Sequence, residues 1–293
     1  MHHGPGLDHV VLCVRDLDAA RERFHAMGFT TTPPARHPFG TGNSLVQMNA
    51  SFIELLTVVD PERIPPHGQA SFSFGAFNAG FLDHQEGISM LVISSDDAQS
   101  DEARWRSAGL RSFPPVYFER MATQPDGSRA RVAFSIAFAL DPTLPRAVFF
   151  CCQQHAPEAF WQAEYQTHAN GARDLAAVSL VAERPAVHAS FFRHLLQQEP
   201  ELFKTGSLSI RTRLGEVHVI SPTHVPRRWG EVMDLPVEVD APFKAAAVSV
   251  PELKTVLRLL EAGGTEVLEE QGRLTVPAHE CFGMALEFVQ GGA

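Results

Sequence analysis

The sequence lacks several features that would restrict its function at once. It has no apolar run approaching the roughly 20 residues of a membrane-spanning helix, and no apolar targeting stretch near its N-terminus. It also lacks a strong basic cluster, since the longest basic run is Arg227-Arg228. Because the formal net charge is -10, we expect neither a nucleic-acid backbone nor an anionic membrane surface as a partner.

Cysteine is scarce as well, with 4 residues in 293. Cys151 and Cys152 are adjacent in an apolar segment, which is a poor arrangement for a structural disulfide. The simplest interpretation is a reduced, cytoplasmic protein. Trp (3) and Tyr (2) are rare but Phe (21) is abundant, which favours apolar packing and an apolar pocket for a small-molecule ligand.

What the sequence does contain is a fourfold internal repeat. Each unit opens with an apolar strand, continues into a helix and ends in further strands, which predicts an α+β fold of four βαβββ-type units. The opening strands are residues 9–14, 89–93, 176–181 and 245–250. A chain of 293 residues suits two domains, and a homo-oligomer is compatible with the sequence.

Turn and cap signals set the limits of the units. In unit one, Asp16 or Asp18 is expected to cap the helix and Gly28 to end it. A loop rich in Pro, Gly and Ser, at residues 60–78, joins units one and two. A connector at residues 154–173 separates the halves, so we expect one domain at residues 1–155, carrying the candidate site, and a second, degenerate domain at residues 172–293.

Unit one resembles a known family. Residues 7–12, 36–43 and 52–56 look like the opening strand, the central loop and the closing strand of glyoxalase-like proteins. These belong to the vicinal oxygen chelate superfamily, with glyoxalases, extradiol dioxygenases and antibiotic-binding resistance proteins. The resemblance implies that each pair of units curls into a half-open barrel around a cavity, and that the first and last strands of a unit supply metal ligands.

On this resemblance, His9 and Glu54 hold the ligand positions of unit one. Imidazole and carboxylate suit Zn, Fe, Mn or Ni, so the pair predicts a divalent metal, with Glu54 also catalytic. The alternative is that His9 and Glu54 hydrogen-bond each other in a metal-free pocket. Counting back from Asp96 puts Ser89, a poor ligand, opposite His9 in unit two.

The predicted substrate-binding residues are His37, Asn43, Cys152 and His155. His37 and Asn43 flank a Gly-rich turn that either lines the pocket or is only a tight turn. Cys152 is expected opposite Glu54, to within one residue of register. A shift of one residue turns His155 inward instead, because strand side chains alternate.

In the second half, Ala176 and Ala245 occupy the opening-strand positions and cannot bind a metal. Glu287 and His218 alone make a weak site, so a structural role is favoured there.

Two functions remain open. One is a glyoxalase- or dioxygenase-type enzyme (a lyase, isomerase or dioxygenase) acting on a small, partly apolar molecule. The other is a metal-free protein that binds or sequesters a small molecule.

Overall fold

The computed structural model describes residues 4–229 and 243–291, and the predicted four-unit α+β fold is confirmed within them. Unit one comprises β1 (Leu7–Cys13), α1 (Leu17–Ala26), β2 (Ala35–Arg36), β3 (Thr41–Gln47) and β4 (Phe52–Val58). After α2 (Phe74–Leu82), unit two comprises β5 (Gly87–Ser94), α3 (Ala98–Ser107), β6 (Arg111–Ser112), β7 (Val116–Thr123), β8 (Arg129–Leu140) and β9 (Val148–Gln154).

The second half repeats this plan after the short helix α4 (Pro157–Phe160). Unit three comprises β10 (Asp174–Val181), α5 (Ala189–Leu196), β11 (Glu201–Leu202), β12 (Leu208–Arg211), β13 (Glu216–Ile220) and α6 (Val225–Trp229). Unit four comprises β14 (Phe243–Val250), α7 (Leu253–Ala262), β15 (Leu268–Glu270), β16 (Arg273–Val276) and β17 (Ala285–Gln290).

Each pair of units forms one curled sheet. The order in the first is β2-β3-β4-β1-β5-β9-β8-β6, with β7 paired to β8. The second has the order β11-β12-β13-β10-β14-β17-β16-β15. In both, the opening strands pair antiparallel at the centre, and each opening strand lies parallel to the closing strand of its own unit. This arrangement brings the opening and closing strands of unit one side by side.

Side-chain alternation gives each sheet two different faces. Along β1, Val10 and Leu12 enter a large core that also contains residues of the other three units and of the helices. Val11 and Cys13 point the other way, into an apolar cluster confined to the first half. The helix-covered faces of both sheets therefore share one core, whereas the opposite face of the first sheet is free to enclose a cavity.

The helix caps show which residues of units one and two are equivalent. Asp16 accepts from the Ala19 amide at 2.9 Å, which confirms one of the two predicted caps. In unit two the cap is Asp97, which accepts from the Gln99 and Ser100 amides, and not Asp96. His9 lies seven residues before Asp16, and the residue seven before Asp97 is Met90. The expectation that Ser89 matches His9 is therefore wrong by one residue.

The loop predicted at residues 60–78 ends earlier than expected, because α2 starts at Phe74. Ser73 caps this helix by accepting from the Ala76 amide at 3.1 Å. Phe74 and Phe81 are buried in the apolar cluster of the first sheet, so tertiary packing stabilises a Gly- and Phe-rich segment as a helix.

The division into domains at residues 1–155 and 172–293 stays a prediction. Each range holds one complete sheet, although the two sheets share a core. Residues 230–242, 292 and 293 of the second range, and 1–3 of the first, lie outside the described residues. None of the described helices is long and apolar enough to cross a membrane.

Candidate functional site

The inner face of the first sheet lines a cavity. Its walls are mostly apolar rings, from Phe39, Phe52, Phe74, Phe118, Phe134, Phe150 and Phe160. Its polar groups are few, namely His9, His37, Asn43, Glu54, Arg120 and Cys152. A mainly aromatic cavity with a few convergent polar groups is typical of a small-molecule site.

His9 and Glu54 meet on neighbouring parallel strands, β1 and β4. His9 Nε2 lies 3.7 Å from Glu54 Oε2, and its Nδ1 donates to Asp8 Oδ1 at 2.5 Å. The ring stacks on Phe52 at a centroid distance of 4.1 Å. The Asp8 carboxylate therefore fixes the orientation of the imidazole, as a carboxylate does for many functional histidines.

Asn43 holds the other oxygen of the same carboxyl group. Its Nδ2 donates to Glu54 Oε1 at 2.6 Å and to His37 Nε2 at 3.3 Å. His37 therefore accepts at Nε2 and donates from Nδ1 to Thr41 Oγ1, at 2.8 Å. Burial holds the pKa of His37 well below its usual range, and Arg120 and His9 add to the effect, so this imidazole is neutral.

Glu54 is 5% exposed, and burial raises its pKa above the ordinary value of 4.5. His9, the Asn43 hydrogen bond and Arg120 oppose this rise without cancelling it. A carboxyl group with a raised pKa can hold a proton or release it under mild conditions, which is the property that a general acid or base needs.

Arg120 is a cavity residue that the sequence analysis did not identify. It lies on β7, where Phe118, Arg120 and Ala122 are partly buried and alternate with exposed Tyr117, Glu119 and Met121. The sequence pattern predicts a strand only near residues 116–118, which ends before Arg120. The alternation up to the turn at residues 124–127 is the signal that would have placed Arg120 on the inner face.

Cys152 lines the cavity, but His155 does not. Burial raises the pKa of the Cys152 thiol well above its usual value, so the group is a protonated thiol and not a thiolate. His155 lies beyond the end of β9 and is exposed; its Nε2 is 2.8 Å from Ser135 Oγ, and its ring contacts Tyr117. The expectation that His155 turns inward is therefore not met.

Comparison with known proteins agrees with this architecture. A family model described as "Glyoxalase-like domain" matches residues 7–196. The chain belongs to this glyoxalase-like family. The predicted membership of the vicinal oxygen chelate superfamily is thereby confirmed. A separate search of curated proteins gives no match.

Solved structures share the fold of this glyoxalase-like protein at low sequence identity. A hypothetical protein from Staphylococcus aureus is 12% identical with a TM-score of 0.69, covering 98% of this chain and 100% of its own. A triple mutant of 4-hydroxymandelate synthase from Streptomyces coelicolor is 14% identical with a TM-score of 0.56, over 100% and 95% of the two chains. A fusion of a xylose isomerase-like TIM barrel with 4-hydroxyphenylpyruvate dioxygenase is 11% identical with a TM-score of 0.56, over 100% of this chain and 50% of that one.

Unit two does not supply the ligands that would complete a metal site. Glu54 pairs with Val11, two residues after His9, and Phe150 pairs with Val92, two residues after Met90. Met90 and Phe150 therefore take the places of His9 and Glu54, and both are apolar. The expectation that Cys152 lies opposite Glu54 is wrong by two residues, which keeps Cys152 on the same face of the sheet because side chains alternate with period two.

The distances around His9 and Glu54 suit two ligands of one ion. His9 Nε2 and Glu54 Oε2 are 3.7 Å apart, but a catalytic zinc usually takes three protein ligands at about 2.0–2.3 Å. The hydroxyl of Ser89 is directed elsewhere and donates to Asn78 Oδ1 at 2.7 Å. The protonated thiol of Cys152 is a poor third ligand.

Within the described residues, one group of three His, Cys, Asp or Glu side chains has its ligand atoms mutually within 4.8 Å. It comprises Glu266, His279 and Glu280, away from the cavity, and Glu280 is already paired with Arg23. At the cavity, His37 Nε2 also lies 3.7 Å from Glu54 Oε1, but no three such ligand atoms of the described residues come mutually within 4.8 Å there, so the metal stays a prediction.

The second sheet uses its closing-strand acid differently. Glu287 is 1% exposed and is held by Arg273 at 2.7 Å, Arg228 at 3.3 Å and Trp229 Nε1 at 3.2 Å. Burial would raise its pKa, but the two arginines hold the pKa below the usual value. The other candidate, His218, has its Nε2 at 3.0 Å from Glu216 Oε2. Glu287 is thus a neutralised carboxylate, which agrees with a structural role.

Proposed function

We propose that this protein is an enzyme of the vicinal oxygen chelate type that moves a proton on a small, ring-bearing molecule bound in the first-sheet cavity. The observation that carries the proposal is the convergence of His9, Asn43 and Glu54 at one end of an aromatic cavity. Glu54 is the proposed catalytic acid or base. His37, Asn43 and Cys152 are the proposed residues that line the substrate-binding cavity. His155 is not among them because it lies outside this cavity.

Each polar group has a task in this proposal. Glu54 Oε1 is fixed by Asn43, so Oε2 is the oxygen that takes a proton from a substrate carbon and returns it to another atom. His9 faces Oε2 and is oriented by Asp8, so its Nε2 can hold the proton or a substrate oxygen during the transfer. The phenylalanine rings exclude water and so strengthen these electrostatic interactions.

Because the donor set is one ligand short, no step is assigned to a metal. The predicted Zn, Fe, Mn or Ni would be held by His9 and Glu54 and would polarise a substrate oxygen. Metal analysis of protein purified without chelator tests this directly. We expect less than one equivalent of metal and the same low content in His9→Ala. Stoichiometric metal that is lost in His9→Ala would contradict the metal-free form of the proposal.

A metal-free binding protein is the second candidate, and one observation favours it. Asn43 already satisfies one oxygen of Glu54 and one nitrogen of His37, so these groups rest in a closed network without a substrate. A protein that only sequesters an apolar ligand needs an aromatic cavity whose few polar groups already hydrogen-bond to each other.

Proton exchange distinguishes the two candidates. Single-ring carbonyl compounds are incubated with the protein in D₂O, and loss of the proton next to the carbonyl is followed by NMR. We expect exchange or turnover with wild type and a loss of about 10²- to 10⁴-fold in Glu54→Gln. The matched control is Glu102→Gln, which changes a glutamate that is 1% exposed and lies on α3, outside the cavity.

Equal rates in wild type and Glu54→Gln would remove Glu54 from the chemistry. Compounds that bind without any exchange or turnover would favour the sequestering protein.

A further inference from the structure

Arg120 is a cavity cation that has no hydrogen-bond or ion-pair partner within the described part of the chain. Its Nε atom is buried and has no acceptor there. The ion pairs that Glu54 makes within 4.0 Å are with His9 and His37, and Arg120 is not among them. Burial lowers the pKa of Arg120 and Glu54 opposes that fall, so the two groups sense each other without touching.

Arg120 is partly buried and its Nε atom is fully buried, so a guanidinium without a close counter-ion in this position costs free energy. Glu54 does not serve as that close counter-ion, because its ion pairs within 4.0 Å are with His9 and His37 and not with Arg120. The imidazole of His37 is neutral and that of His9 is held by Asp8. Arg120 is therefore a cavity cation with no acidic side chain of the described residues in contact with it, and an anionic ligand would supply the counter-ion.

The surroundings of Arg120 define the rest of that ligand. Phe118 precedes it on the inner face of β7 and contacts Phe39 and Phe134 at centroid distances of 5.2 and 5.3 Å. Edge-to-face and tilted ring contacts of this kind extend readily to one more ring. A cavity with such walls suits a single aromatic ring with a short chain.

We propose that Arg120 binds the carboxylate of the substrate, and that the substrate is a single-ring aryl carboxylic acid. The inference rests on the cavity assigned under the proposed function, whose substrate class it names, but it concerns binding and does not require turnover. Arg120, the phenylalanine rings, Glu54 and His9 line the same cavity, so an acid held by Arg120 lies in the cavity that contains the proposed catalytic groups.

A carboxylate fits better than a phosphate. One planar guanidinium matches the two oxygens of one carboxylate. A phosphate would bring a second negative charge close to Glu54. Among the described lining residues, no other fixed cation is present to balance that charge.

The test compares acids with their neutral amides on the full-length protein. Phenylacetate, 3-phenylpropanoate and 4-phenylbutanoate are paired with the corresponding amides, and affinity is measured by calorimetry and thermal shift. We expect at least one acid to bind about 10- to 100-fold more tightly than its amide, as for a charge-assisted hydrogen-bonded pair. Benzyl phosphate, as the competing anion, should bind more weakly than that acid.

Variants assign this preference to Arg120. Arg120→Gln should bring the acid-to-amide ratio close to one, and Arg120→Lys should keep part of it. The control is Arg131→Gln, because Arg131 lies on the exposed side of the same hairpin and pairs with Glu119. A ratio that stays high in Arg120→Gln, equal binding of acid and amide by wild type, tighter binding of the phosphate, or no binding of any acid would each overturn the inference.

Glu54→Gln separates this inference from the proposed function. If the variant keeps the acid preference but wild type shows no turnover of any bound acid, the enzymatic proposal fails and the role of Arg120 stands. If turnover depends on Glu54 but wild type does not prefer acids, the role of Arg120 fails and the enzymatic proposal stands.

Discussion

The contact between Asn43 and Glu54 determines the resting state of the cavity, and a double-mutant cycle can measure it. The perturbations are Asn43→Leu and Glu54→Met, alone and together, because each replaces a polar side chain by an apolar one of similar size. In Asn43→Leu, the carboxyl group of Glu54 loses the donor that lies 2.6 Å away while it stays buried. In the double variant, neither polar group is left behind.

A hydrogen bond to a charged group contributes about 1.5–3 kcal/mol, and a neutral one about 0.5–1.5 kcal/mol. We therefore expect Asn43→Leu to lower the free energy of unfolding by about 2–3 kcal/mol at pH 8. With about 2–4 °C per kcal/mol for a chain of this size class, Tm falls by about 4–12 °C. The double variant should return to within about 1 kcal/mol of wild type, because two apolar groups replace the pair in an apolar cavity.

The pH dependence supplies the second measurement. The folded protein holds the Glu54 proton to a higher pH than the unfolded chain does, since burial raises the pKa of this group. The coupling energy should therefore be about 2 kcal/mol above the raised pKa and fall to about 1 kcal/mol as the pH falls through it.

Urea unfolding of the four proteins at several pH values measures the cycle. A second cycle of Asn170→Leu with Glu54→Met is the control, because Asn170 is 1% exposed and its side chain hydrogen-bonds to the backbone at Met27 and Ala172. Its coupling should be under about 0.5 kcal/mol. A coupling of that size for Asn43 with Glu54, or one that does not change with pH, would refute the reasoning.

Three further outcomes are expected. Urea unfolding should show Glu54→Gln to be more stable than wild type at pH 8, with the difference vanishing below about pH 4.5. The reason is that the folded pKa of Glu54 is raised, so the stability that the protonated carboxyl group contributes to wild type is lost as pH rises through that pKa. Equal stability of the two proteins at pH 8 would contradict the raised pKa. Gly40→Ala should lower the free energy of unfolding by about 1–3 kcal/mol more than Gly127→Ala does. Both glycines have positive φ, but only at Gly40 would a Cβ atom lie 2.5 Å from the Asp60 carbonyl oxygen. Equal losses of stability in the two variants would contradict this close approach. Native protein at pH 8 should not react with Ellman's reagent, since the pKa of Cys13, for example, is raised to about 12 and all four cysteines are buried. A fast-reacting thiol would contradict the burial of these groups.

Local signals were sufficient to predict most of the fold. The repeat of strand, helix and strands predicted the four units, and Asp16 and Gly28 marked the ends of α1 because a side-chain cap and a positive φ have strong residue preferences. The helix α2 was not predicted, because its stability comes from the burial of Phe74 and Phe81 against strands that are distant in sequence.

The candidate site was predictable only in part, and for a similar reason. His9, His37, Asn43 and Glu54 lie in one unit, where short-range register fixes their directions. Positions in unit two depended on the choice between Asp96 and Asp97 as the cap, and one residue reverses a strand's faces. Arg120 was missed because the strand predicted near residues 116–118 ends two residues before it, whereas β7 continues to Thr123.

The two sheets show why position in a repeat does not determine chemistry. Glu54 pairs with Val11, five residues before the cap Asp16, and Glu287 pairs with Ala247, five residues before the cap Glu252, so the two carboxyl groups are equivalent. Burial raises the pKa of the first, whereas Arg228 and Arg273 hold the pKa of the second below its usual value.

The difference lies in what surrounds each acid. Glu54 has a neutral amide, two imidazoles and a guanidinium that does not touch it, so it can change its protonation state. Glu287 has two arginines within 3.3 Å and is fixed as an anion. Removing one arginine from the second site should therefore free its carboxyl group only in part, whereas adding an anion at Arg120 should push Glu54 further towards its protonated form. Proton uptake on binding of an aryl acid, measured by calorimetry in buffers of different ionisation enthalpy, would show that shift in wild type and not in Glu54→Gln.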